Sequence, residues 1–344
     1  MNATMSLEMS KHQPVMLDQV LSIISPQHGG TFIDCTFGGG GYSRAILNYP
    51  NTKVLAIDRD QNTKIYADKL LKEFPKRFDF INNKFSKLGE VINSNINPKA
   101  IIFDLGISSI QLSDNKRGFS FKSKNILNME MGINKYTAYD VVNSLDKKIL
   151  TKIIKILGDE KDASKIANKI VNYRKKKVIK TSEELSSIIS EAKINNKNYK
   201  KNPATKTFQA IRIFVNQELT ELILGLIEAT KILKKDGVLI VVSFHSLEDK
   251  IVKNFFSLYS NIKQNPSRYF PIGDNNSSLY KIFSKKPLTP TNEEIINNIR
   301  SRSAKMRYGI RNKKLFLNFK EFEKKFINFS NLEQMSLSWT QTNG

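Results

Sequence analysis

Short apolar segments alternate with amphipathic segments along the first part of the chain. Strand patterns rich in Val, Ile and Phe occur in "TFIDCTF", "KVLAIDRD", "RFDFINNKF" and "KAIIFDLGISS", and "TKIYADKLLKEF" between two of them has helical periodicity. Strands that alternate with helices favour a parallel sheet covered by helices. We therefore predict an α/β fold with a Rossmann-like core that begins with residues 1–111.

Helical periodicity replaces this alternation from about Leu112 onward. Apolar residues recur at helical spacing in "DKKILTKIIKILGDE", "DASKIANKIVNYRKKK" and "TSEELSSIISEA". In the third segment, Thr181 and Glu184 stand at the two positions of a capping box. We predict an inserted small helical domain over residues 112–204.

The strand pattern returns after the predicted insertion. A long helical segment is followed by "GVLIVVSF", which is apolar throughout and fits a buried strand. The Rossmann-like core is therefore predicted to be discontinuous and to resume over residues 205–310. Residues 311–344 form a basic, aromatic C-terminal tail.

Candidate chemistry lies where the predicted strands end. Four glycines follow the first strand, and Asp58 ends the second, about 20 residues further on. Such a loop lets the backbone approach a nucleotide cofactor, while the carboxylate binds ribose hydroxyls. These residues alone fit a dinucleotide or S-adenosylmethionine, and the loop is also compatible with a structural turn. Asp34 and Asp104 end two further strands, which brings three carboxylates to the edge where such sheets bind ligands.

The charge of the chain points to a polyanionic partner. The sequence holds 55 Lys and Arg against 32 Asp and Glu, a formal net charge of +23. This excess attracts nucleic acid and makes binding salt-dependent. The alternative is a lysine-rich background from an AT-rich genome, which the abundance of Asn, Ile and Lys supports. The candidates for RNA contact, each of which is alternatively a solvated surface residue, are Arg174, Lys175, Lys206, Arg212, Arg302, Lys305 and Arg307.

The remaining composition narrows the class of protein. Cys35 is the single cysteine, which excludes an internal disulfide, and His12, His28 and His245 are too far apart in sequence to suggest a metal site. The apolar runs are shorter than the roughly 20 residues of a membrane span. The first residues lack the pattern of a secretory or organellar signal. We expect a cytoplasmic protein without a metal or a membrane partner.

An ordered set of motifs resembles one known family. The motifs are "KHQPVML", "DCTFGGGGYS", "AIDRD", "KFSKLGE", "FDLGISSIQL", "RGFSF", "NPATKTFQAIRIFVNQEL", "SFHSLEDKIVK" and "RSRSAKMR". From about Lys11 to Arg307 they resemble the bacterial ribosomal RNA small-subunit methyltransferase H family, also called MraW. The resemblance implies a Rossmann-like S-adenosylmethionine-dependent methyltransferase whose inserted helical domain recognises the substrate. It also implies the reaction, methylation of N4 of a cytosine in the decoding region of 16S ribosomal RNA in the small subunit.

The resemblance further implies cofactor-binding residues. In this sequence they are Gly40, Gly41, Tyr42, Asp58, Phe85, Asp104 and Gln111. Asp58 can accept hydrogen bonds from ribose hydroxyls, and Phe85 can offer an apolar face to adenine. Alternatives are an ordinary core aromatic at Phe85 and a turn-capping carboxylate at Asp104.

Catalysis at a cytosine amino group requires a hydrogen-bond acceptor. The nitrogen is a weak nucleophile because its lone pair is delocalised into the ring, and an acceptor near its protons assists their loss. Our hypothesis assigns this acceptor to the turn from Asp104 to Ser109, with Asp104, Ser108 and Ser109 as the candidate catalytic residues. His245 is either an RNA contact or a structural histidine.

The chain departs from the family pattern in a few places. Cys35 stands where the family commonly has glycine, and Tyr42 where it has histidine. Asn128, Glu130 and Gly132 stand where Asp, Arg and Asp are common. These last changes keep open a catalytically weakened ribosome-binding or assembly factor. A nicotinamide-dependent oxidoreductase is permitted by the glycine loop but disfavoured by the complete motif set.

Overall fold

The computed structural model describes residues 14–93, 95–134, 136–193, 202–260, 278–313 and 318–342, with side chains of the last segment as far as Met335. Lys11, His12 and Gln13, with which the first motif begins, lie outside the described residues. The chain forms two compact units, residues 1–106 with 221–325 and residues 107–220 with 326–344. The sequence predicted the divisions after residues 111 and 204, and both these boundaries and the roles given to the domains stay predictions.

The first unit is built on a seven-stranded sheet, which confirms the predicted α/β class. Its strands are β1 Gly30–Asp34, β2 Thr52–Asp58, β3 Phe78–Asn82, β4 Pro98–Asp104, β5 Val238–Ser243, β6 Tyr280–Lys281 and β7 Lys305–Arg311. Their order is β3-β2-β1-β4-β5-β7-β6. The first five strands are parallel, whereas β7 runs antiparallel to both β5 and β6. The strand β7 was not anticipated, because its segment reads as a basic, polar stretch.

Helices connect the strands and form most of the second unit. In chain order they are α1 Leu17–Ile24, α2 Gly41–Leu47, α3 Lys64–Glu73, α4 Leu88–Val91, α5 Ser109–Ser113, α6 Ala138–Ser144, α7 Lys147–Gly158, α8 Ala163–Arg174, α9 Ser182–Ala192, α10 Thr205–Asn216, α11 Glu218–Ile232, α12 Ser246–Tyr259, α13 Asn292–Asn297 and α14 Lys320–Thr342. Within the part of the chain that the structure describes, no helix has the length and apolar character to cross a membrane.

The core of the first unit forms around the central strands. All six residues of β5 are buried, as expected for a strand with parallel and antiparallel neighbours that is covered on both faces. Phe32 of β1, Ile102 of β4 and Ile240 of β5 belong to one cluster of buried side chains. A second group of rings includes Phe255, whose centroid lies 5.2 Å from that of Phe322. The sheet is therefore fixed from both sides, and its strand ends are held in position.

Amphipathic helices make up the core of the second unit. Leu150, Ile153 and Leu157 of α7 are buried, and α7 packs against α8 and α10. The predicted capping box at the start of α9 is present, since Glu184 N donates to Thr181 Oγ1 at 3.1 Å and Thr181 N donates to a Glu184 carboxylate oxygen at 3.2 Å. The helical periodicity of the sequence thus correctly predicted the helices α7, α8 and α9.

The C-terminal tail contributes a helix that the sequence did not predict. Glu333 of α14 accepts hydrogen bonds from Leu219 N at 3.2 Å and Thr220 N at 2.8 Å, the first amide groups of α11. Burial raises the pKa of Glu333 to about 8, although these bonds oppose the rise. The end of the tail, from Phe326 onward, therefore belongs to the second unit, and its Glu333 caps another helix.

Asn216 joins the end of α10 to the segment that carries the divergent residues. Its Oδ1 accepts from Met131 N at 2.7 Å and Asn134 Nδ2 at 2.8 Å. Its Nδ2 donates to the carbonyl oxygens of Met129 and Arg212, both at 2.8 Å. The side chain is fully buried. These four bonds tie the segment of the divergent residues to the end of α10.

We predict that Asn216→Ala lowers the free energy of unfolding by about 2–4 kcal/mol, because it leaves buried donors and acceptors without partners. Urea unfolding followed by circular dichroism measures the change. Asn125→Ala is the matched control, since that exposed amide should change stability by less than about 0.5 kcal/mol. Equal effects of the two variants would contradict the role given to Asn216.

Candidate active site

Three carboxylates end adjacent strands of the first unit. Asp34 ends β1, Asp58 ends β2 and Asp104 ends β4, and β1 lies between the other two strands. Asp34 is fully buried, whereas the other two residues are partly exposed. The carboxyl edge of the sheet thus gathers three acids, as the strand pattern predicted.

Asp58 is held by the glycine loop. Gly38 N donates to its Oδ2 at 2.7 Å, and Asp60 N donates to its Oδ1 at 2.8 Å. Burial raises the pKa of Asp58 to about 7, against the effect of these two bonds and with a further rise from the charges of Asp60 and Asp34. Because each carboxylate oxygen has a second lone pair, both can still accept a ligand hydroxyl.

The glycine loop is also shaped by packing within the protein. Gly40 has φ +79°, and a Cβ there would lie 2.8 Å from the Phe37 ring. At Gly41 a Cβ would collide with Pro14. The Tyr42 ring is buried, and its hydroxyl donates to the Val15 carbonyl oxygen. The side chain of Tyr42 therefore belongs to the core, which leaves its backbone for contact with a cofactor.

Phe85 follows β3 with a partly exposed ring. Its centroid lies 5.2 Å from that of Phe103 in an edge-to-face arrangement. A Cβ on residue 225 would lie 2.6 Å from Phe85 Cδ2, so Gly225 in α11 provides the space that this ring occupies. Sequence reasoning missed this role of Gly225. The signal was a single glycine inside an otherwise continuous helical pattern.

Asp104 has an unsatisfied oxygen atom at the end of β4. Its Oδ1 is buried and has no hydrogen-bond partner among the described residues, whereas its backbone N–H donates to Thr36 Oγ1 at 2.7 Å. Burial raises the pKa of Asp104 well above its usual range, and the charges of Asp34 and Glu248 add to this effect. A buried acceptor without a donor is energetically costly. The arrangement therefore favours a ligand that brings an N–H or O–H group.

Sequence reasoning missed Glu248 and gave Asp34 no role beyond its place at a strand end. Ser43 Oγ donates to Asp34 Oδ2 at 2.7 Å, and burial raises the pKa of Asp34 to about 6 despite this bond. Glu248 is buried and accepts from Phe244 N at 2.8 Å. Asp34 was visible as a strand ending, whereas Glu248 gave no signal beyond its place in "SLED". Both acids act on Asp104 through charge.

Ser108, Ser109 and Gln111 lie in the second unit, at the start of α5. Gln111 N donates to Ser108 Oγ at 3.2 Å, and Ser108 N donates to Gln111 Oε1 at 3.0 Å. This reciprocal pair is a capping box. Ser109 is the first residue of the helix. The side chains of Ser108 and Gln111 thus have a structural task, and their roles with substrate and cofactor stay predictions.

Several of the cationic residues predicted to contact RNA bind other residues of their own unit. In the second unit, Arg212 makes two bonds of 2.8 Å to the Glu218 carboxylate. Arg174 donates to the Val142 carbonyl oxygen at 2.7 Å, and Lys206 donates to the Asp159 carbonyl oxygen at 2.6 Å. Such partners hold these cations in place, whereas Lys175 is exposed and has no ion pair to a described residue.

Of the predicted RNA contacts in the first unit, two are likewise bound to a carboxylate and one is exposed. Arg307 Nε and Lys305 Nζ lie 2.8 Å and 3.3 Å from the Asp249 carboxylate. Burial opposes ionisation of Asp249, but the hydrogen bonds and charges of these two cations lower its pKa. Arg302 is exposed and has no partner among the described residues. Their roles in RNA binding stay predictions.

His245 occupies the N-cap of α12. Its Nδ1 accepts from Glu248 N at 3.4 Å, and Glu248 Oε2 accepts from His245 N at 3.3 Å. An accepting Nδ1 places the ring proton on Nε2. This atom lies 3.2 Å from Glu248 Oε1, but it is buried and makes no hydrogen bond to a described residue. Of the two interpretations from the sequence, this geometry favours a structural histidine.

The divergent residues form a well-bonded loop in the second unit. Asn128 Nδ2 donates to Glu130 Oε2 at 2.9 Å, and Glu130 N donates to Asn128 Oδ1 at 2.7 Å. Arg117 donates to the Glu130 carbonyl oxygen at 2.6 Å. Gly132 has φ +112°, a conformation that few other residues adopt. The substitutions at 128 and 130 therefore suit each other, since an amide here binds a carboxylate.

Comparison with known proteins shows sequence similarity to one methyltransferase family over most of the chain. The sequence profile of the MraW methylase family matches residues 9–312. The ribosomal RNA small subunit methyltransferase H of Ehrlichia canis is 45% identical over 303 residues, which cover 86% of this chain and 98% of that protein. The same-named protein of Orientia tsutsugamushi is 42% identical over 313 residues, 87% of this chain and 98% of that one. A solved rRNA methylase structure from Streptococcus thermophilus covers 86% of this chain and 95% of its own at 9% identity and a TM-score of 0.36, a likeness that adds nothing to the sequence relation.

We predict that Gly225→Ala weakens the binding of S-adenosylmethionine about tenfold, because the new methyl group displaces the Phe85 ring, and overpacking of this kind costs about 1–3 kcal/mol. Isothermal titration calorimetry measures the affinity. Gly89→Ala is the matched control, because its Cβ meets only the flexible end of Glu228. Wild-type affinity in Gly225→Ala would exclude Phe85 as the adenine contact.

We also predict that S-adenosylmethionine binds about tenfold more weakly at pH 6 than at pH 8, since a carboxyl with a pKa of about 7 is about nine-tenths protonated one unit below it. The sign follows from the chemistry, because the ionised carboxylate is the better acceptor for ribose hydroxyls. Asp58→Asn should bind weakly and remove this part of the pH dependence. A profile that is unchanged by Asp58→Asn would assign it to another group.

Proposed function

The chain belongs to the MraW methylase family and is an S-adenosylmethionine-dependent ribosomal RNA methyltransferase; from this premise we propose that it methylates the N4 amino group of a cytosine in the decoding region of 16S RNA. The observation that carries the proposal is Asp104, whose buried Oδ1 has no donor among the described residues. An amino group is the kind of donor that this atom needs. The assembled small ribosomal subunit is the proposed form of the substrate.

The residues of the first unit fit the cofactor that the family uses. Asp58 offers a carboxylate held by two backbone N–H groups, which suits a pair of ribose hydroxyls. The partly exposed ring of Phe85 suits the flat face of adenine. Gly40 and Gly41 keep the loop free of side chains. S-adenosylmethionine supplies, when bound, a methyl group on a positively charged sulfur.

Asp104 is the proposed acceptor for the amino protons. A hydrogen bond from the cytosine amino group to Oδ1 makes the nitrogen more pyramidal and its lone pair more available. The new nitrogen–carbon bond would form as the methyl–sulfur bond of the cofactor breaks, which would leave a neutral thioether and an acidic nitrogen. Asp104 would then take the proton from this nitrogen. The raised pKa of Asp104 strengthens it as a base once it is ionised.

The alternative of a weakened assembly factor rested on the divergent loop. Asn128 and Glu130 now form a bonded pair, and Met131 N donates to the buried Asn216 amide. A loop with satisfied polar groups does not indicate loss of function. What supports the enzymatic proposal over the alternative is the relation to methyltransferases at 42–45% identity.

We predict that Asp104→Asn lowers kcat at saturating S-adenosylmethionine at least 100-fold, because general base assistance contributes about 10²- to 10⁴-fold. Since Asp104 is also among the cofactor-binding residues that the resemblance implies, the affinity for S-adenosylmethionine is measured separately by isothermal titration calorimetry. The assay uses labelled S-adenosylmethionine and small subunits that lack the modification, followed by nucleoside mass spectrometry. The expected product is N4-methylcytidine.

Cys35→Ala serves as the control for this experiment. The thiol is buried, and burial raises its pKa well above the ordinary value, with a smaller contribution from Asp34. It is therefore a poor nucleophile, and its loss should leave the product unchanged. A 5-methylcytidine product that disappears with Cys35→Ala would replace the N4 proposal. Cofactor and subunit binding without any labelled nucleoside would favour the assembly factor.

A further inference from the structure

A cavity lies in the first unit among residues that the proposed active site does not use. It has a volume of about 390 Å³, and its lining includes Phe256, Met306, Tyr308, Lys253, Lys285 and Lys286. No acidic residue belongs to the described lining. We call it the β7 pocket. Its size falls within the range of ordinary small-molecule sites, roughly 300–1,000 Å³.

An exposed phenylalanine stacks on a partly buried tyrosine of the β7 pocket. The Phe283 side chain is 57% exposed, and its ring stacks on that of Tyr308 with the centroids 6.0 Å apart and the planes at 26°. Lys281 Nζ lies 5.2 Å from the Phe283 centroid. An exposed ring next to cations is the arrangement on which proteins stack the bases of single-stranded nucleic acid.

The cations around the pocket have no acidic partners of their own, apart from Arg307. Lys253, Lys285 and Lys286 are exposed and make no ion pair with a described residue. Arg307 lines the pocket as well, but Asp249 and the Lys285 carbonyl oxygen fix its guanidinium at 2.8 Å and 2.7 Å. Three exposed positive charges that line one pocket therefore remain for an anion.

The position of the pocket in the sheet connects it with the proposed acceptor. Met306 pairs with Val242 of β5, and Val242 pairs with Asp104 of β4. Two strand spacings separate Met306 from Asp104, a distance of roughly 10 Å. That distance is within reach of nucleotides close to each other in one RNA strand.

We propose that the β7 pocket binds a nucleotide of the single-stranded RNA that flanks the target cytosine. Its base stacks on Phe283, and its phosphates lie against Lys253, Lys285 and Lys286. The inference rests on the proposed function for the identity of the RNA. An acidic peptide would satisfy the lysines but would leave the exposed ring without a flat partner, so the observations favour RNA.

The test uses the full chain and a fluorescein-labelled oligouridylate of ten nucleotides, followed by fluorescence anisotropy at several salt concentrations. We expect Phe283→Ala to weaken binding about tenfold, the lower end of what one stacked base contributes. Phe283→Leu keeps an apolar side chain without a stacking face and should lose nearly as much. Both changes are at an exposed position, and a thermal melt confirms that the variants fold.

The lysines are tested by the double variant Lys285→Gln/Lys286→Gln. It should lower the salt dependence, the slope of log Kd against log salt concentration, by about 1.4, since each phosphate contact to a single strand contributes about 0.7. Lys64→Gln/Lys72→Gln is the matched control, because these exposed lysines lie on α3 in the same unit and remove the same charge. Equal effects of the two double variants would overturn the proposal.

Two further measurements separate the possible outcomes. A photo-reactive 4-thiouridine in the probe should cross-link to a peptide that contains Phe283 or Tyr308, and cross-links elsewhere alone would overturn the site. Uridine 5′-monophosphate that binds as tightly as the ten-nucleotide probe would indicate a free-nucleotide site instead of an RNA-binding site.

The methylation assay separates failure of this inference from failure of the proposed function. If wild type methylates subunits and the variants keep its KM, the inference fails while the proposed function stands. If wild type makes no N4-methylcytidine but oligouridylate binding still depends on Phe283, the proposed function fails and the pocket stands.

Discussion

Desolvation of carboxylates is the constraint on which the carboxyl edge of the sheet depends. Asp34, Asp58 and Asp104 end neighbouring strands, and no ion pair joins any of them to a described cation. Burial therefore raises the pKa of all three. Backbone N–H groups and hydroxyls stabilise Asp34 and Asp58, whereas Oδ1 of Asp104 has no donor among the described residues. Groups perturbed in this way are typical of functional sites, because the ligand supplies the donors that the protein withholds.

Rigid packing is what allows such an arrangement to persist. The buried strand β5 and the helices around it keep the strand ends in fixed positions, and Gly225 leaves the space in which the Phe85 ring rests against Phe103. Buried groups with unfavourable electrostatics survive only where the surrounding structure determines their positions. The stability of the sheet and the reactivity of its edge are therefore linked.

The positive charge of the chain has two uses that the sequence does not separate. Arg212 binds Glu218, and Arg307 binds Asp249, so these residues hold structure together. Lys253, Lys285 and Lys286 have no such partner among the described residues and surround a pocket beside an exposed ring. Pairing, more than the number of cations, decides which of them are available to RNA, because a paired cation must lose its carboxylate before it meets a phosphate.

The sequence by itself determined the five parallel strands, the helices of the inserted segment and the three carboxylates at the strand ends, because hydrophobic periodicity and chain-local rules such as capping express them directly. It also determined the family, through motifs in fixed order. Only the tertiary structure decided that Ser108 and Gln111 cap a helix, that His245 accepts from Glu248 N, that β7 completes the sheet and that Glu333 in the tail caps α11. It likewise showed that Asn128 and Glu130 suit each other. These features depend on contacts between residues that are distant in sequence or whose pairing the sequence pattern does not reveal. The fold decides which residues meet, and this sets their burial, their hydrogen-bond partners and their local charge.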